Sequence, residues 1–341
     1  MKTTRHIGLT GFFRAGMVAL LCIMLPQIAL ANNKSNVTAV IYDTGALDTD
    51  HAFIRMARTG AMKAKDELGA QFDEFRAPEK EALDGFMRKI ASRGYGSVIA
   101  VGYQYVFAVL SLAEEFPNTT FTVIDGLVPP IYPNVQSISF KDHEGSFLIG
   151  MVAAYSSQNE KIGFIGGMDI PLIRSFETGF KQGARFVRPN IMIATDMVGN
   201  TPKAWTRPDI AYELAVKQFH DGQDVIFSAA GGSTIGVLRA ANDKGKLAIG
   251  VDTNQNSIFP GHVLTSLVKR VDTAVFNTMK STQESNWQPG IKSLGLKEGA
   301  LDFAIDQHNR HLISPQVVDQ VLTARERIIN GLIEVESYRP N

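Results

Sequence analysis

Three aspartates stand where apolar, β-rich runs stop: Asp43 after "NVTAVIY", Asp125 after "TFTVI" and Asp252 after "LAIGV". Such runs read as buried strands of a parallel sheet, and in these sheets ligands bind beyond the carboxyl ends of the strands. A single acid there is often only a turn former or a helix N-cap. Three acids at such ends point to an acidic rim facing a ligand. A fourth run, "DVIF", ends in Ser228 to Gly232 and resumes with helical spacing as "STIGVLRAA". This glycine turn lacks the Gly-Lys-Ser/Thr of a phosphate loop and does not fit G-x-G-x-x-G. It also misses G-x-S-x-G, because Ile235 stands where the second glycine is required. Carboxylates at neighbouring strand ends would repel a phosphate, so a nucleotide enzyme is a poor fit.

Other chemistry is sparse. His308-x-x-His311 has no third ligand in view and reads as a solvated pair. His51 beside Asp50 reads as a polar cluster at a helix start, and no H-E-x-x-H occurs. Neither a metal nor a cofactor is expected. Lys plus Arg and Asp plus Glu are 34 each in 341 residues, which gives no footprint for nucleic acid or an anionic membrane. Lys2, Arg5 and Arg14 precede the apolar run "GMVALLCIMLPQIALA", which ends in Ala29-Leu30-Ala31. That order describes residues 1–31 as a cleavable secretory signal peptide. Cys22 is the only cysteine, and Leu20-Leu21 before it do not make a lipoprotein site. Cleavage would remove the thiol and leave a net charge of about −3.

The acids and the glycine turn need a frame to converge. From Asn36 onward, Val/Ile-rich strands alternate with helices expected at 50–67, 103–115, 171–187, 208–220, 234–243 and 272–284, an α/β pattern. The strands are too many for one comfortable open sheet, which favours two similar lobes. Pro- and Gly-rich "GLVPPIYPNVQ", then "TNQNSIFPGH" (253–262) and "ESNWQPG" (284–290), are the expected crossovers of a hinged pair. They place 36–127 with 256–287 in an N-terminal lobe and 128–255 with 288–335 in a C-terminal lobe.

"SISFKDHEGSFLIGMVAAY", "KIGFIGGMDIPLIRSFETGFKQGARFVRP", "DVIFSAAGG", "IGVDTNQ" and "VLTSLVKRVDTAV" together resemble the basic membrane protein (BMP) family, from about Val37 to Phe303. These are substrate-binding proteins of ABC importers, with the purine-nucleoside receptor as type example. The resemblance implies a type I periplasmic-binding-protein fold: two Rossmann-like lobes, a three-crossing hinge, and ligand in the cleft. It also implies ligand-binding roles for Asp43, Asp50, the aromatic Phe53, Asp125, a second aromatic Phe227, Gly232, the ribose-binding Asp252, and Lys269. The family's usual "DDKSFNQ" is here Thr49 to Arg55, with Ala52 for Ser and Ile54 for Asn, and its "AAGGTGxG" carries Thr234 and Ile235. These departures sit where the pocket is shaped.

The function so implied is a periplasmic receptor delivering a small neutral, nucleoside-like ligand to an ABC permease of the inner membrane, with no catalysis. Two alternatives stand beside it: the same receptor fold binding another small polar ligand, such as a sugar or signalling compound, and an exported enzyme of the α/β class, a nucleoside hydrolase. The latter would need a run of closely spaced aspartates, which Asp48 and Asp50 only approach.

Overall fold

The computed structural model describes residues 1–4, 34–43, 51–78 and 82–339; the signal segment with Cys22 and Ala31, and Asp50, lie outside the described residues. Met1–Ala31 and Asn32–Asn341 form separate units, and the strands and helices of the described residues all belong to the second. From Val37 the order is β1 (Val37–Tyr42), α1 (Ala52–Leu68), β2 (Gln71–Arg76), α2 (Leu83–Ala91), β3 (Ser97–Val101), α3 (Val106–Leu112), β4 (Thr120–Ile124) and β5 (Val135–Phe140). A second series runs α4 (Asp142–Ser156), β6 (Lys161–Met168), α5 (Pro171–Val187), β7 (Met192–Gly199), α6 (Pro208–His220) and β8 (Val225–Ala229). It continues with α7 (Thr234–Lys244), β9 (Leu247–Asp252) and β10 (Val263–Lys269). The chain ends with α8 (Val271–Gln283), β11 (Gly290–Leu294), β12 (Leu301–Phe303) and α9 (Pro315–Ile329).

Two sheets result, ordered β11-β5-β4-β3-β1-β2 and β12-β10-β9-β8-β6-β7. Raising the index of each of the first five strands by five converts the first order into the second, so the lobes are structural repeats. Every pairing is parallel except that of β10 with β12. Strands β3 and β8 are buried at every position because helices cover both faces. Edge strand β2, "QFDEFR", is instead partly exposed along its length.

The helices that follow β5 and β10 are docked closely. A side chain on Gly60 of α1 would collide with the backbone of Asp272 on α8, and one on Gly179 of α5 with the backbone of His143 on α4. The two lobes therefore use the same close helix pair, with a glycine at each contact.

The crossovers correct the sequence-derived boundaries. "GLVPPIYPNVQ" joins β4 to β5 within the first sheet, and 253–262 joins β9 to β10 within the second. The chain changes lobe after Phe140, after Lys269 and after Leu294. Thus β5 and β11 belong to the N-terminal lobe, and β10 to the C-terminal one. Pro and Gly mark where a strand stops, not which sheet the next strand joins. At the hinge the crossing segments hydrogen-bond side by side: Lys141 N–H donates to Leu294 C=O at 2.8 Å, and Arg270 N–H to Ala300 C=O at 2.9 Å.

Candidate functional site

The repeat brings equivalent acids to the cleft. Asp125 follows β4 and Asp252 ends β9, the strands in matching places of the two sheets. Both residues are left-handed, with φ of 63° and 68°, and both are buried. Aspartate tolerates that region better than most side chains, but it still costs roughly 1 kcal/mol, and such strain gathers at ligand sites. The two lobes turn an acid inward by the same backbone device.

Lys269 is the last residue of β10 and sits at the second crossing. Its Nζ is 2.8 Å from both carboxylate oxygens of Asp125, and 3.1 and 3.3 Å from the two oxygens of Asp142. Lys269 is 1% exposed and Asp142 fully buried. Asp142 opens α4 one residue past the first crossing, so the ammonium ties both lobes at the hinge. The ring centre of Phe140 lies 4.6 Å from Nζ, and that of Phe176 5.2 Å.

Three buried carboxylates share this one ammonium. Burial pushes Asp252 up to about 6, with Lys269 opposing and Asp125 reinforcing the rise. Burial likewise raises Asp142 despite its ion pair. Burial works against the Lys269 charge, but Asp125, Asp142 and Asp252 outweigh it and hold its pKa above the ordinary lysine value. With its cation already committed, this cluster accepts hydrogen bonds and repels anions.

A cleft runs between the lobes at the carboxyl ends of their strands, where ligands of parallel sheets bind. Asp43, Phe53, Asp125, Asp252 and Lys269 line it, as the resemblance implies. So does Ile54, an apolar wall at one of the departures from the family pattern. Aromatic walls come from Phe53, Tyr103, Phe176 and Trp205. Tyr103 belongs to the N-terminal lobe and meets the other lobe twice: its hydroxyl lies 3.2 Å from Met168 Sδ, and its ring is edge-on to Trp205 with centres 6.4 Å apart.

Two expected residues stand elsewhere. Phe227 is fully buried in the middle of β8, its ring 5.4 Å from Phe180 and 5.6 Å from Phe164, and it does not line the cleft. It is core, because the cleft opens at strand ends and Phe227 lies two residues short of one. At the glycine turn it is Gly231 that faces the cleft; Gly232 packs beside the Trp205 carbonyl. Thr234, another departure, turns inward, where its Oγ1 accepts from Ser228 Oγ at 3.2 Å and the Ala230 N–H at 3.3 Å. It shapes the turn and leaves the cleft wall unchanged.

Asp142, Tyr103, Phe176, Trp205 and His51 were not anticipated as site residues. One signal was available: a lysine closing the buried run "VLTSLVK" demands carboxylate partners. Trp205 is held by the short helix Pro202–Thr206, which the glycine turn anchors: Ser233 Oγ accepts from Arg207 N–H and donates to Ala204 C=O, each at 2.7 Å.

Comparison with known proteins agrees with this architecture. Residues 36–339 match the family described as ABC transporter substrate-binding protein PnrA-like (Bmp). An uncharacterized lipoprotein of Pyrococcus furiosus is 30% identical, over 78% of this chain and 69% of its own. Basic membrane protein D of Borreliella burgdorferi is 29% identical over 89% and 88%. An ABC transporter solute-binding protein from Aeropyrum pernix superposes with a TM-score of 0.78 at 23% identity, covering 89% of this chain and 94% of that one. That likeness establishes the two-lobed periplasmic-binding-protein fold of type I.

Proposed function

The chain belongs to the Bmp family of PnrA-like ABC transporter substrate-binding proteins, and from that premise we propose that it is a periplasmic receptor for a neutral, nucleoside-like ligand, which it hands unaltered to an ABC permease. The observation that carries this reading is the pairing of aromatic walls with an acid-rich floor whose ammonium is already bound to Asp125 and Asp142. Carboxylates accept from hydroxyl and amine donors, each such bond contributing about 1.5–3 kcal/mol. Aromatic walls such as Trp205 and Phe176 suit a flat base, at roughly 1–3 kcal/mol per stack. A phosphate would meet buried negative charge with no free cation among the described cleft residues.

Titration calorimetry with inosine, guanosine and adenosine, on protein refolded free of ligand, tests this directly. Binding of at least one nucleoside, and none of its 5′-monophosphate, is the expected outcome. Absence of heat with all three would remove the nucleoside reading. Ile54 favours a second reading, since an apolar wall there offers no hydrogen bond to a base. Under it the ligand is a sugar or another small polar compound. Mass spectrometry of the species released from the protein as purified separates the two.

A further inference from the structure

His51 lines the cleft with a hydrogen bond unmade. It directly precedes α1 but its side chain makes no capping bond there, so holding the helix end does not occupy it. Although the residue keeps some exposed surface, its Nδ1 is sealed from water and has no hydrogen-bond partner among the described residues. The Nε2–Cε1 edge of the ring meets the other lobe: a Cβ at Gly231 would stand 3.1 Å from His51 Nε2 and 3.2 Å from Cε1. The imidazole thus reaches the other lobe, where a side chain at residue 231 would crowd it.

Burial, with Arg55 adding to it, lowers the imidazole to about 4, so the ring is neutral near pH 7. A neutral imidazole carries one N–H and one acceptor nitrogen. Either nitrogen can carry that proton, and a ligand acceptor facing the unpartnered Nδ1 would fix it there. The rest of the cleft is rich in acceptors, Asp43, Asp125 and Asp252, while the Lys269 donors point at carboxylates. A buried polar nitrogen without a partner is unfavourable, and it persists where something else completes it.

We infer that His51 is a specificity-determining residue of the cleft, donating from Nδ1 to an acceptor atom of the bound nucleoside, a ring nitrogen or carbonyl oxygen of the base. This rests on the nucleoside reading above. It adds a donor to those the lining residues Gln104 and Trp205 carry, set against the carboxylates, so that a ligand presenting a ring nitrogen or carbonyl at this point is preferred over one that does not.

The test compares the wild-type protein with His51→Asn, His51→Phe and His51→Ala by calorimetry against inosine, guanosine and adenosine, with thermal unfolding of each unliganded variant. The Asn amide nitrogen falls near the Nδ1 position, so His51→Asn keeps affinity within roughly threefold. His51→Phe and His51→Ala lose on the order of tenfold, the worth of one net hydrogen bond, with unfolding temperatures close to wild type. The alanine variant guards against a larger ring disturbing Gly231. Wild-type affinity in both His51→Phe and His51→Ala overturns the assignment while leaving the nucleoside reading intact, as does equal loss in all three variants. A wild-type protein that binds no nucleoside overturns the reading and the inference together.

Discussion

The Lys269 ammonium stands 2.8 Å from each carboxylate oxygen of Asp125, and the two residues come from different lobes: Asp125 follows a strand of the first sheet, and Lys269 ends a strand of the second. The ion pair therefore spans the hinge, with Asp142 as its third member. Breaking a buried pair from one side leaves uncompensated charge, at about 3–5 kcal/mol. Lys269→Met should lower the unfolding free energy by that amount in urea titrations. Adding Asp125→Asn should recover part of it, because the carboxylate held through both oxygens by Lys269 is then removed with it. Unchanged stability in the single variant would mean that the pair is open in solution.

The acid that ends β9 makes stability depend on pH. Burial holds Asp252 at about 6 in the folded protein, against roughly 3.9 in an unfolded chain. The folded state thus keeps that proton more tightly. Its stabilising contribution is complete below about pH 4 and disappears as the pH rises through 6. Between about pH 4.5 and 7 the unliganded wild type should lose about 2 kcal/mol relative to Asp252→Asn, measured by urea unfolding at both pH values. Parallel pH profiles for the two proteins would refute the shift.

The same residue should count in the opposite direction for the ligand. Asp252→Asn removes a charged acceptor, so affinity for the ligand should fall by about 1.5–3 kcal/mol at neutral pH. Calorimetry on the variant checks this, and equal affinity would place the ligand away from β9.

Phe227 is enclosed by Phe164, Phe176 and Phe180. Phe227→Ala should cost about 3–5 kcal/mol of stability through the cavity it leaves. The folded fraction should bind as before. Weakened binding with unchanged melting would return this ring to the cleft.

Of the two tryptophans, Trp205 lines the cleft, while Trp287 donates its indole N–H to Thr122 Oγ1 at 3.1 Å, on the first sheet. A change in intrinsic fluorescence on ligand binding should disappear in Trp205→Phe and persist in Trp287→Phe. Trp205→Ala should weaken binding by roughly 1–3 kcal/mol if a base stacks on the indole.

Much of this molecule was legible along the chain. The Val/Ile runs identified the buried strands, because strands covered on both faces carry little else. The acids at their ends identified Asp43, Asp125 and Asp252 as cleft residues, since a strand's carboxyl end is a fixed place in a parallel sheet. Edge strands β2 and β11 escaped notice because each faces solvent on part of its surface and lacks a continuous apolar run. The orientation of Phe227 was not readable either: a strand buried at every position has no alternation to distinguish one face from the other.

The remainder belongs to the tertiary structure. Only chain crossing decides which sheet β5, β10 and β11 join, and hence where the hinge lies. Asp142 carries no mark of a site in its own stretch of sequence; the second crossing brings Lys269 to it, 127 residues further on. His51 and Gly231, or Tyr103 and Trp205, meet because two lobes close on each other. Local pattern reports what a residue's neighbours in sequence require of it, whereas a cleft is built from residues whose only relation is the fold.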